Sequence, residues 1–430
     1  MAIAGYAVEN YRAFGERTSI DLRPLTLLFG YNSAGKSALL RALPLLRDST
    51  LGTQSEPLAL LSPAARGASF ADIRSRFSSS PALSFELKWN KGEIGAVEYI
   101  IRDLPDLRRQ IIEKLVVFGL GNDRQLIAEW IPQERKGNVS TRYKISNDFR
   151  NDLEADIRFR GLRPQLDAPD SSAFVADLFI LLDDLFDSFA EDVNWLHALR
   201  ALPPRREVFT GVPNRVDPDG KGITQLLAYD DLVGGSVIEE VSKWYQTATQ
   251  HRLEVRRGSF AGKELFSIVL SPTAGAAVEV EVVDTGEGMG QVLPVIGLLS
   301  LAKHRQLGKA PILAIEHPEL HLHPSAHGAL ADLFCSVAAG KERPPTILVE
   351  THSENFLLSV QLAIVNQRIA TESVLVYWVH QSESGAAHID RIEFDEFGRP
   401  KGDRWPPGVF SESVEQSRNL LLARRSRGEI

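Results

Sequence analysis

Residues 29–43 read FGYNSAGKSALLRAL, and the expected architecture follows from them. Within this stretch, Gly30-Tyr31-Asn32-Ser33-Ala34-Gly35-Lys36-Ser37 follows the pattern G-x-x-x-x-G-K-[ST]. Glycines at its two ends let the main chain fold so that successive N–H groups, from Asn32, Ser33 and Ala34 onward, face an anion. The helix that follows presents its positive end to the same point. Lys36 would bridge the outer phosphates of a nucleotide, and Ser37 has the small hydroxyl that magnesium, which prefers hard oxygen ligands, can take.

The surroundings agree. Residues 2–8 and 18–29 alternate like strands and end in the apolar run LTLLF, so a buried strand feeds the loop. Beyond it, Leu39, Leu40, Leu43 and Leu46 recur at helical spacing over 36–47, and Pro44 is expected to end or kink that helix. A second station is ILAIEHPELHLHP, residues 312–324. A carboxylate that ends an apolar parallel strand beside a phosphate loop is placed to hold the magnesium shell, and Glu316 stands there. The plainer reading of Glu316 is a capping or salt-bridging side chain. His317, His321 and His323 with Glu316 and Glu319 could also be read as a zinc site, but Pro318 and Pro324 favour a rigid turn instead.

Composition sets the outer bounds. A chain of 430 residues, 43% hydrophobic and 24% charged, can bury one large core and a satellite. Lys+Arg 48 against Asp+Glu 56 gives a formal charge of −8, so no global basic field points to nucleic acid. The single cysteine, Cys335, excludes an internal disulfide framework and suits a cytoplasmic location. No membrane span or targeting segment is expected, because FVADLFILLDDLF and VLPVIGLLSLA are too short or too acidic.

Along the chain, 83–101 reads as two strands joined by a turn at Asn90 to Glu93, and 105–160 mixes short amphipathic pieces without a clear plan. Residues 172–200 read as helix, 203–222 as an extended Pro- and Gly-rich loop, 223–247 as a helix and 252–283 as strands. A helix over 291–305 precedes ILAIE, and TILVETHS is a second buried strand. The expected division is a discontinuous head at 1–90 and 201–380, an α+β insertion at 91–200 (hairpin, then helices) and a C-terminal extension from 381 to 430.

Taken in order, NYRAFGERTSIDLRPLTLLFGYNSAGKSALLRAL, TGEGMGQVLPVIGLL, IEHPELHLHP and ILVETHSENFLL resemble the ABC-class ATPase heads of the OLD, RecF and Rad50/SMC group, above all stand-alone bacterial OLD-like ATPases. The resemblance covers roughly 1–47 and 280–380. It implies an α/β fold, an ABC-type P-loop head with mixed and parallel sheet, with ATP and Mg2+ as cofactors and Ser37 and Glu316 at the metal. By the same resemblance Gly288, Gly290 and Gln291 occupy the signature segment, which meets the γ-phosphate held by an opposite subunit. Gly290 stands where the family has serine. His352 matches the switch histidine. His317 replaces the glutamate that usually activates water, so turnover should be slow unless Glu319 substitutes.

Two functions follow as expectations. One is a homodimeric switch closed by ATP and opened by hydrolysis, in bacterial anti-phage defence or DNA maintenance. A separate effector is expected, since about 75 residues after His352 leave no room for the nuclease domain of OLD proteins. The other is a nucleic-acid scaffold that uses ATP as glue, with DNA held by Arg205-Arg206, Arg256-Arg257 and Arg424-Arg425.

Overall fold

The computed structural model describes residues 2–132, 139–148, 153–167, 173–274, 278–340, 343–402 and 405. Three strands open the chain: β1 (Ile3–Glu9), β2 (Thr18–Asp21) and β3 (Leu25–Gly30). Arg23-Pro24 parts the last two, because proline has no N–H to give a ladder. Every residue of β3 is buried, as in a strand covered on both faces. Helix α1 (Lys36–Thr50) follows the loop and continues through Pro44 rather than ending there. Burial decides this: Leu39, Leu40, Leu43, Leu45 and Leu46 are fully covered, each contributing about 1.5–3 kcal/mol against about 3 kcal/mol for an internal proline.

After the single turn α2 (Phe70–Ile73), β4 (Ala82–Trp89) and β5 (Ile94–Leu104) form a hairpin around residues 90–93. Residues 109–166 continue as a meander: β6 (Arg109–Gly119), β7 (Arg124–Trp130), β8 (Arg142–Ser146), β9 (Leu153–Arg160) and β10 (Arg163–Leu166). These strands and β1–β2 make one nine-stranded antiparallel sheet, ordered β10-β9-β8-β7-β6-β5-β4-β1-β2. The boundary expected at 90 therefore falls inside a hairpin, and the stretch 105–160, for which the sequence shows no clear plan, is mostly strand, whereas the helix expected over 172–200 is present from 173 to 192. The half-buried alternation of those strands satisfies one face only, a weak signal when strands are broken by polar turns.

Helix α3 (Ala173–Asp192) runs directly into β11 (Val193–Leu196), a fully buried tetrapeptide that the sequence pattern merges with the helix. The loop that follows contains the short β12 (Glu207–Val208). The one helix expected over 223–247 is two, α4 (Ile223–Leu232) and α5 (Val237–Thr249), parted at Gly234, whose φ of 67° breaks the helix. β13 (His251–Phe260), β14 (Lys263–Pro272) and β15 (Val280–Glu281) form a small antiparallel sheet with β12. Then come α6 (Glu287–Lys303), β16 (Ile312–Glu316), α7 (Pro324–Ala338), β17 (Thr346–Thr351), α8 (Glu354–Val365), β18 (Val374–Gln381) and β19 (Ala387–Ile392).

The six-stranded sheet has the order β11-β16-β17-β3-β18-β19 and is parallel apart from β19. The expected boundary at 381 lies within its β18–β19 pair. Alternate residues of β3 divide the core: Leu28 packs with α1, α3 and the nine-stranded sheet, whereas Leu25, Leu27 and Phe29 pack with α4–α8. The layers are thus nine-stranded sheet, α1 with α3, parallel sheet, and the remaining helices. Among the described residues no helix is long and apolar enough to cross a membrane.

Candidate nucleotide site

The parallel strands β3, β16 and β17 end at one edge, where the loop 30–37 turns into α1. Gly30 (φ 148°) cannot be exchanged freely, because a Cβ there would lie 2.1 Å from the Val379 carbonyl. Gly35 (φ 112°) starts α1 with no side-chain cap, so main-chain donors of the first turn remain for an anion. By contrast, His323 caps α7 and Ser353 caps α8. Lys36 is 3% exposed, and its Nζ donates to the carbonyls of Gly30 (2.9 Å) and Tyr31 (2.6 Å). Burial lowers its pKa to about 8, against the pull of Glu350 and Glu319.

A cavity of about 280 Å³ opens here, lined by Asn32, Ser33, Gly35, Lys36, Ser37, Arg12, Arg41, His317, Glu350 and His352. The structure thus brings the loop together with His317 and His352 but does not bring Glu316 to it. Glu316 is fully buried, and both its oxygens are taken: Oε1 accepts from Arg41 Nε (2.7 Å) and Trp195 Nε1 (3.0 Å), Oε2 from Arg41 Nη2. Arg200, also buried, donates to the Glu316 carbonyl. The salt-bridging reading of Glu316 is the one this geometry matches. Against Ser37 stands Glu350 instead: the Ser37 hydroxyl donates to its Oε1 at 2.6 Å.

His317 adopts a left-handed φ of 41° and lies between two carboxylates, with Nε2 3.3 Å from Glu350 and Nδ1 4.0 Å from Glu319. Burial works against its charge, but the two carboxylates outweigh it and raise its pKa to about 9. Burial likewise pushes both carboxyls up, but His317, with Ser37 and Lys36 at Glu350 and with Thr351 and main-chain donors at Glu319, outweighs it and holds both below their ordinary range. Glu319 Oε1 accepts from Thr351 Oγ1 (2.7 Å) and the His352 amide (3.1 Å). The His352 ring stacks on His317 with centroids 4.7 Å apart, and its Nδ1 donates to the Gly30 carbonyl at 2.9 Å. Burial, then the charges of Lys36 and His317, lower the His352 pKa. With Nδ1 donating to Gly30, a neutral His352 ring keeps Nε2 as an acceptor.

The zinc alternative finds no support: among the described residues no three His, Cys, Asp or Glu side chains are arranged to hold a metal ion. His323 is spent on Ser325. At the start of α6, Gly288 and Gly290 pack inward, where a Cβ would meet the His321 carbonyl at 2.3 Å and the Leu202 side chain at 2.9 Å. Gln291 is buried too and donates to Glu287. The exposed residues of that turn are Gly286 and Glu287. Sequence reasoning passed over Glu350, Arg41, Arg12 and Trp195. For Glu350 the signal is visible, since TILVE ends in a carboxylate just as ILAIE does.

Comparisons with known proteins identify the family and the fold. Residues 25–359 match a family described as "AAA domain, putative AbiEii toxin, Type IV TA system". None of the curated proteins matches. Among solved structures, an Smc head bound to the C-winged helix domain of ScpA is similar at TM-score 0.50 and 11% identity, over 92% of this chain and 99% of that one. The SMC head domain from Thermotoga maritima has TM-score 0.42 and 11% identity, over 91% and 98%. At such identity the likeness concerns the fold alone, and that fold is the mixed α/β fold of an ABC-type P-loop ATPase head.

Proposed function

Because the chain belongs to this AAA-domain family, we propose that it binds ATP with Mg2+, hydrolyses it slowly, and uses the bound nucleotide to hold two copies together. The observation that carries this reading is the cradle itself: an uncapped helix start, a buried Lys36 held by loop carbonyls, and Ser37 beside a carboxylate. Gly30, Asn32, Ser33, Ala34 and Gly35 would fold around the phosphates, and the Lys36 ammonium would exchange carbonyl partners for phosphate oxygens. Magnesium fits the site, since Ser37 offers a hard oxygen and Glu350 Oε2 is buried without a hydrogen-bond partner. When bound, the ion would neutralise charge on the outer phosphates.

The two carboxylates that flank His317 raise its pKa to about 9, so it would face phosphate as an additional positive charge rather than as a free base. Glu319, with one oxygen engaged and Oε2 buried and unpartnered, is the remaining candidate for orienting water. With its Oε1 held by Thr351 and His352, it would do so poorly, which supports slow turnover. A second copy's nucleotide would meet the exposed main chain at Gly286, where no atom lies within 4 Å of a would-be Cβ. The family's printed description, a putative toxin of a Type IV TA system, is the support for extending the proposal to bacterial defence, and a separate effector is part of that proposal. The scaffold reading gains less support. Arg205 is paired with Asp284 and Glu281, Arg256 with Glu279 and Glu254, and Arg257 with Asp231. Arg424-Arg425 lies outside the described residues.

The test is equilibrium binding of ATP to Lys36→Ala. Loss of a charge-assisted contact worth about 1.5–3 kcal/mol should weaken affinity by roughly 10- to 150-fold. Undiminished affinity would overturn the assignment.

A further inference from the structure

We propose that Glu350, not Glu316, is the carboxylate that holds the hydration shell of the nucleotide's magnesium; this rests on the ATP reading above. The first reason is position in the sheet. β17 lies between β3 and β16, and Glu350 is in register with Leu28 on one side and Glu316 on the other. Neighbouring strands are about 4.8 Å apart, so Glu350 stands one full strand nearer the phosphate loop.

The second reason is which oxygens are spoken for. Arg41 and Trp195 occupy both oxygens of Glu316, which is 0% exposed and does not line the cavity. Releasing it would leave the Arg41 guanidinium buried without its counter-charge. Glu350 lines the cavity, is 2% exposed, and leaves Oε2 without a donor. A buried carboxylate oxygen in that state calls for a partner, and a metal-bound water supplies one. The third reason is Ser37. Its O–H already donates to Glu350 Oε1, which leaves the hydroxyl lone pairs free to face a cation. No comparable contact joins Ser37 to Glu316.

The experiment measures the dissociation constant of a fluorescent ATP analogue for the full chain, in a magnesium chloride series and in EDTA. Glu350→Gln keeps an acceptor for Ser37 but removes the charge. It is expected to cut the tightening caused by magnesium by about 10- to 100-fold, while affinity in EDTA stays within about twofold. Glu316→Gln is expected to keep the magnesium effect and to melt at lower temperature. Full magnesium tightening in Glu350→Gln would overturn the proposal, whatever Glu316→Gln does. Should the glutamine chain not fold, Glu350→Asp, which keeps the charge but withdraws it by one methylene, is expected to show a smaller loss, and an unchanged magnesium effect there overturns it equally. If the wild-type chain binds no nucleotide, or Lys36→Ala binds it normally, the ATP reading itself has failed, which is a separate result.

Discussion

Lys36 and Cys335 show how burial acts on single ionisable groups. The Lys36 ammonium stays in place because two carbonyls accept from it and two carboxylates lie near, yet desolvation still pulls its pKa down to about 8. An anion arriving in the cavity would reverse that pull. Cys335, on the inner face of α7, has only a weak opposing pull from Arg368: burial, with a lesser push from Asp332, raises its thiol to about 12. The thiolate fraction at pH 8 is then on the order of one in 10⁴, and the sulfur is covered. Titration with a chromogenic disulfide reagent at pH 8 should find no reactive thiol in the native chain and one equivalent in urea. Rapid native labelling would contradict the burial described.

At the scale of elements, α1 is tied to the parallel sheet by two polar contacts one turn apart, Ser37 to Glu350 and Arg41 to Glu316. The second is a buried ion pair whose side chains are 9% and 1% exposed. Removing one member strands the other's charge, so Glu316→Ala should lower unfolding free energy by about 3–5 kcal/mol in urea. A paired replacement, Arg41→Met with Glu316→Leu, should recover most of that loss, and failure to recover would show that the charges do more than balance each other. Much of this level was readable: both apolar strands, the loop between β3 and α1, and the hairpin at 82–104 follow from periodicity. Pro44 does not end α1, because the apolar cover that the helix receives from both sheets outweighs the local backbone penalty. β11 was missed because four apolar residues next to a helix look like more helix.

Across the whole molecule, the cavity lies between layers, roofed by a loop and floored by strand ends that are distant in sequence: Ser37, His317 and Glu350 meet only because β3, β16 and β17 are neighbours. If the proposed switch is right, ATP with magnesium should convert the wild-type chain to a dimer in sedimentation velocity, and Lys36→Ala should remain unchanged; equal behaviour of the two would remove the basis for a nucleotide-closed pair. By itself the sequence determined where a triphosphate would sit, because the phosphate cradle is built from consecutive main-chain groups and its signature is therefore local. Only the tertiary structure decided which acidic side chain faces that cradle. ILAIE and TILVE carry the same pattern, and the choice depends on strand order and on the arginine that α1 sends to one of them, neither of which is written in any short stretch of chain.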